Sequence, residues 1–153
     1  MSQTKQKHAQ IFEDIIPILM KMAMNSQVLH KHAAAIIYDS QVFTGTNRYT
    51  RQLKLSKSMI QPKLIKKTIH AEMDALLNVP KNIKKCKGVI VLVIRISKGH
   101  LRNSRPCNNC LNKLKQLGVE KVYYSDENGN IVFERVNLMP YLHISSGYKY
   151  KYT

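Results

Sequence analysis

Residues 88–96 read GVIVLVIRI, and the stretch from Val89 to Ile94 is apolar at every position. Successive strand residues point to opposite faces, so a strand of this kind must be covered on both sides. The simplest fold that does so is a sheet with helices above and below, and this segment belongs at its centre. The run has strand length and falls far short of the ~18–20 residues that cross a membrane.

The flanking patterns supply the other layers. Ile11, Ile15, Leu19 and Met22 recur at helical spacing, with Met20, Met22 and Met24 as further packing residues. Pro17 is compatible with a helix capped at Asp14 and otherwise kinks it. Residues 1–10 are polar and expected to be a flexible N-terminus. A strand over 32–38, a tight turn at Asp39-Ser40 and a returning strand over 41–44 come next. Residues 70–78 form a helix that stops before Pro80. Residues 97–105 are read as a loop, and Pro106 opens a helix carrying Leu111, Leu114 and Leu117 that Gly118 ends. Strands over 121–124 and 131–136 flank a turn at 126–130, in which Asn128-Gly129 is a hairpin signal. The expected fold is α/β: a three-layer α/β/α sandwich around a five-stranded mixed sheet, with parallel middle strands and a last strand antiparallel through a hairpin. The organisation expected is a flexible segment 1–10, one domain over 11–136 and a basic, Tyr-rich tail over 137–153.

The charge is lopsided. The chain of 153 residues carries +16, with nine acids in all; between Ser40 and Val119 the acids are Glu72 and Asp74 alone. Seven cations (Arg48, Arg51, Lys54, Lys57, Lys63, Lys66, Lys67) fall within residues 45–69, a segment long enough to be functional or partly structured. Such a field attracts phosphate, in a nucleotide or a nucleic acid. Nineteen of the 25 cations are Lys, however, and Arg is the usual choice for bidentate phosphate recognition. Both readings of the charge stay open. Cys86, Cys107 and Cys110 are too few for a disulfide framework and suit a reducing compartment, with metal binding the first alternative use. The start of the chain lacks the apolar core of a signal peptide, so a soluble cytoplasmic protein is expected.

Two short motifs carry chemistry. His70-Ala71-Glu72 opens one helix, and Pro106-Cys107-Asn108-Asn109-Cys110 opens the next. Cysteines three apart at a helix start lie one turn apart and share a direction, and the helix dipole there favours thiolate. Two thiolates and one imidazole make three ligands and leave a fourth zinc position open, as in catalytic rather than structural sites. Glu72 at the same helix start can reach toward a common point and accept a proton there. Each motif alone is weak; a lone Cys-x-x-Cys is structural, redox or chance. Together, in this order and at these element boundaries, they are specific. Cys86, between Lys85 and Lys87, reads as a bystander.

Over roughly residues 10–136 the chain resembles the cytidine deaminase-like superfamily, the zinc-dependent cytidine and deoxycytidylate deaminases. The resemblance implies that His70, Cys107 and Cys110 bind one zinc ion. It makes Glu72 the general acid/base, which passes protons from the attacking water to the ring nitrogen and the leaving ammonia. It also implies that the Ala71 amide touches the base, that the Arg105 carbonyl holds the leaving amine, and that Asn47 binds the sugar. The imidazole ligand resembles deoxycytidylate, cytosine and tRNA adenosine deaminases, which usually have parallel last strands. The short turn at 126–130 resembles free cytidine deaminases and some RNA-editing and toxin-type relatives instead. The Arg105 side chain departs from the residues common there and is a candidate for reaching a phosphate. The expected substrate is a cytidine or deoxycytidine nucleoside or nucleotide, handled by a homo-oligomer with no membrane attachment. The alternatives are a nucleic-acid deaminase that uses segment 45–69 and the tail, and a catalytically silent zinc-binding module.

Overall fold

The computed structural model describes residues 3–54, 63–81 and 88–142, with side chains over 9–50, 68–81 and 88–142. Cys86 and the tail residues 143–153 lie outside the described residues.

The first helix, α1, is Gln3–Met24. It therefore begins within the segment expected to fray, and Asp14 lies inside it rather than capping its start. Pro17 falls in the helix interior on the exposed side, where the amide missing from the ladder costs least. Ile15, Leu19 and Ala23 form its buried stripe. Met20 and Met22 pack beside that stripe, whereas Met24 is exposed rather than a core residue.

Strands β1 (Lys31–Tyr38) and β2 (Gln41–Thr46) form the expected hairpin. Its two-residue turn has positive φ at both Asp39 (45°) and Ser40 (72°), the twist that a right-handed hairpin requires. The chain then leaves the main sheet. β3 (Arg48–Lys54) and β4 (Lys63–Ile69) pair antiparallel as a separate two-stranded sheet, so the long basic segment is a hairpin. The short helix α2 (Ala71–Leu77) follows at once.

The apolar run is β5 (Ile90–Ser97), and the residues on both its faces are buried. The segment expected as a loop contains β6 (His100–Arg102), folded back on β5 through a turn with positive φ at Lys98 (52°) and Gly99 (77°). Helix α3 (Asn108–Leu117), strand β7 (Lys121–Ser125) and strand β8 (Ile131–Arg135) complete the order. A single 3-10 turn, Val136–Leu138, takes the place of the end of the last expected strand.

The main path is β2-β1-β5-β7-β8, five strands as expected, and β6 adds a sixth beside β5. The β5–β7 pair is parallel and β7–β8 antiparallel, the latter as the short turn requires. β1 lies antiparallel to β5, because the hairpin return places it between β2 and β5; the middle strands are thus parallel only at β5–β7.

Alternation along the central strands separates two cores. Ala33, Ala35, Leu92, Ile94 and Ile96 face α1. Ala34, Ile36, Val89, Val91 and Val93 face α2 and α3, where they meet Ala71, Ala75, Leu111 and Leu114. This is the three-layer sandwich. Gly45 is where α2 comes closest to the sheet: a Cβ there would lie 2.2 Å from the Ala75 nitrogen. Among the described residues no helix is long and apolar enough to cross a membrane.

Candidate active site

Both motifs sit where helices begin. His70 is the N-cap of α2 in extended conformation (φ −74°, ψ 153°), and Cys107 is the N-cap of α3 (φ −68°, ψ 166°). Cys110 lies in the first turn of α3, so the two thiols project from the same helix end. The imidazole Nδ1 of His70 lies 3.2 Å from Cys110 Sγ and 3.5 Å from Cys107 Sγ. All three ligand atoms fall within 4.8 Å of one another. Tetrahedral zinc, with Zn–N near 2.1 Å and Zn–S near 2.3 Å, needs nitrogen and sulfur about 3.5 Å apart. The donor set and its spacing therefore fit zinc.

The charges fit as well. Cys107 is held down to about 4, chiefly by the hydrogen bond from the Cys110 thiol and then by His70, against the opposing effect of burial. Cys110, which donates that bond and is buried, is pushed up. The hydrogen bond with Cys107 raises His70. The three groups thus share protons that a divalent cation would displace. Glu72 is 4% exposed, and burial raises its carboxyl above the usual range while His70 pulls the other way. A carboxyl so placed holds a proton more tightly than an exposed one.

Two anchors hold the helix starts. Asp74 of α2 accepts hydrogen bonds from the Thr46 amide (3.0 Å) and from Arg48 Nε (2.9 Å), tying α2 to the end of β2. Ser104 donates to the Val93 carbonyl (2.7 Å) and accepts from the Ser125 amide (2.8 Å), which fixes the strand-to-helix loop ahead of Cys107. Sequence reading assigned neither a role. Asp74 left a trace, as one of two acids in a long cationic stretch; Ser104 left none.

The other expected residues are placed as follows. Ala71 is fully buried as the first residue of α2. Asn47 is buried, and its Oδ1 accepts from Ser26 Oγ (2.7 Å) and from the His32 amide (3.0 Å), while its Nδ2 donates to the His30 carbonyl. Its side chain thus braces the loop between α1 and β1, with one amide hydrogen left over. The Arg105 guanidinium donates to Glu134 (3.1 Å) and to the Pro140 carbonyl (2.8 Å). Tyr124 joins the same Glu134 oxygen at 2.7 Å, and burial with that bond pushes its phenol up to about 12. Arg105 is therefore held in an internal ion pair, while its buried Nη1 has no hydrogen-bond partner.

His32 and Arg95 lie beside the site. His32 is lowered to about 4, mainly by burial, with Arg95 and His70 contributing repulsion. Arg95 Nη2 lies 3.0 Å from His30 Nδ1.

The sequence profile of the cytidine and deoxycytidylate deaminase zinc-binding region matches residues 9–126. The chain belongs to this family. No curated protein matches it. Among solved structures, the deoxycytidylate deaminase of cyanophage S-TIM5 in complex with dCMP and dUMP aligns at 18% identity with a TM-score of 0.51. That alignment covers 83% of this chain and 85% of the other. The apo form of that enzyme aligns at 22% identity and a TM-score of 0.44, over 74% and 84%. At 18% identity the first of these likenesses is one of fold.

Proposed function

We propose that the chain is a zinc-dependent hydrolytic deaminase that removes the exocyclic amino group of a cytidine- or deoxycytidine-type nucleoside or nucleotide. The observation that carries this reading is the convergence of His70 Nδ1 on two thiols at 3.2 and 3.5 Å, with the buried Glu72 two residues away. In this reading His70, Cys107 and Cys110 hold the zinc. The metal supplies Lewis acidity that brings the pKa of water toward neutrality. Glu72 takes the proton from the attacking water, delivers it to the ring nitrogen and carries the next to the departing amine. Burial supports that role by keeping the proton affinity of the carboxyl high. The Ala71 amide and the Arg105 carbonyl flank the base, and Asn47 offers its remaining amide hydrogen to the sugar. The unpaired thiols suit a reducing cytoplasm.

A second reading rests on the β3–β4 hairpin. Its register sets Arg51 opposite Lys66 and Lys54 opposite Lys63, like charges in pairs that a sheet alone disfavours. A polyanion would relieve them, so a single-stranded nucleic acid is the alternative substrate.

The test is a panel of cytidine, deoxycytidine, their 5′-monophosphates and short RNA, read as ammonia release, with Glu72→Gln as the control. Release from a nucleoside or nucleotide that Glu72→Gln abolishes is expected. Release from RNA alone moves the assignment to the second reading. No release from any substrate by zinc-loaded protein overturns both.

A further inference from the structure

One rank of residues crosses the sheet at the end where both motif helices begin. The Asn47 amide bonds to the His32 carbonyl (3.3 Å), His32 stands opposite Arg95, and Arg95 stands opposite Arg102. The preceding rank, Gly45, Ala34 and Val93, is buried against α2 and α3. By two-residue alternation Asn47, His32, Arg95 and Arg102 project from this same face. The sheet thus passes in one step from an apolar floor to a basic edge. The loop leading to Cys107 crosses at that step, since Ser104 bonds the Val93 carbonyl.

Arg95 is under-satisfied there. Its Nε is closed off from solvent and has no hydrogen-bond partner. Its Nη2 meets a histidine nitrogen rather than an acid. Arg102 faces it across β5–β6, a like-charge pair in register. Among the described residues the ion pairs are Arg48–Asp74 and Arg105–Glu134, so no carboxylate neutralises this edge. A half-exposed guanidinium beside a second cation, with no carboxylate against it, is suited to an oxyanion, which it meets through charge-assisted hydrogen bonds.

We propose that Arg95 is the phosphate anchor of the site, receiving the phosphate of a nucleotide whose base lies at the His70–Cys107–Cys110 centre. The assignment rests on the deaminase reading and narrows it, because a free nucleoside brings no anion to this edge. The phosphate is a monoester in a mononucleotide or a diester in an oligonucleotide, and Arg95 serves either.

Product-side ligands test this without turnover. Uridine, uridine 5′-monophosphate and a short oligouridylate are titrated calorimetrically into zinc-loaded wild type, Arg95→Gln and Arg95→Lys. Melting temperature and zinc content of each variant serve as folding checks. The monophosphate is expected to bind at least about tenfold more tightly than uridine, the scale of one charge-assisted hydrogen bond. That ratio should fall close to one in Arg95→Gln and be partly retained in Arg95→Lys. A gain for oligouridylate but not for the monophosphate, still lost in Arg95→Gln, keeps the anchor and assigns a diester. Equal affinities in wild type, or a ratio unchanged by Arg95→Gln, overturn the proposal. If wild type deaminates nucleosides while phosphate adds nothing, this inference alone fails; if no pyrimidine ligand binds and no substrate releases ammonia, the deaminase reading fails with it.

Discussion

Replacing Gly45 by Ala tests how the sheet sets the position of α2. The added Cβ would lie 2.2 Å from the Ala75 nitrogen, 2.7 Å from the Asp74 carbonyl carbon and 2.8 Å from the Ala75 Cα. All three are backbone atoms of α2, so no side-chain rotation relieves the clash. Reaching ordinary contact requires α2 to retreat by about 1 Å, since attraction between carbon atoms is best near 3.5–4 Å. Overpacking of this kind costs ~1–3 kcal/mol, and a clash with backbone belongs at the upper end. For a domain of this size that lowers Tm by roughly 5–10 °C. The same displacement carries His70 and Glu72 away from Cys107 and Cys110, and it strains the Asp74 bond to the Thr46 amide. A misplacement of ~1 Å is enough to cost on the order of 10²-fold in rate. Melting, zinc stoichiometry and ammonia release are to be measured on the same preparation. All three should fall together. A Gly45→Ala protein that melts with the wild type and retains its zinc and turnover would refute this account of how α2 is placed.

Wild-type protein should carry one zinc per chain, lost in Cys107→Ala or Cys110→Ala and kept in Glu72→Gln, as metal analysis will read. Turnover in Glu72→Gln should drop by ~10²–10⁴-fold or more, the usual worth of a general acid–base group. His32 is held neutral in the fold, with a pKa lowered from 6.5 to about 4. The unfolded chain therefore binds the extra proton first, and this contribution to stability is complete above 6.5 and declines as pH falls toward 4. The slope is at most about 1.4 kcal/mol per pH unit, less because the ring is only half-buried. His32→Asn, which keeps a donor for the His30 carbonyl, should flatten the pH dependence of Tm relative to wild type in that window. Ser40→Gly should raise Tm by a few degrees, since Ser40 holds a φ of 72° that costs a side-chain-bearing residue ~1 kcal/mol. An unchanged or lower Tm there would mean that the turn is not strained.

Which features were legible in the sequence follows from how local their causes are. The double-sided burial of β5, the turn at Asp39-Ser40 and the hairpin at Asn128-Gly129 each follow from a few adjacent residues. The two motif helices were equally plain, because Pro106 and Gly118 mark the bounds of one and Pro80 closes off the other. The start of α1 was less so: a polar segment has no periodicity to read, and a proline usually argues for a boundary that the packing of Ile15, Leu19 and Ala23 overrides. β3, β4 and β6 were missed for a related reason, since strands rich in cations lack the apolar alternation by which strands are found. The commitment of Arg105 depends on Glu134, a residue brought close only by the β7–β8 pairing. The bracing role of Asn47 depends likewise on a loop distant in sequence. Neither can be read from spacing.

The register of the β3–β4 hairpin sets Arg48 directly opposite Ile69, the residues next to Asn47 and His70. The two ends of the excursion are therefore already closed at the rim of the site, and the length of chain between them bears little on where Asn47 or His70 sits. Lengthening a closed loop adds only ~0.6 kcal/mol per doubling. The fold thus contains a docking port for exchangeable cassettes: a shorter turn, a neutral hairpin or a longer arm can be grafted between residues 48 and 69 while His70, Cys107, Cys110 and Glu72 keep their framework. Substrate range in such a chain can then drift independently of the chemistry it delivers.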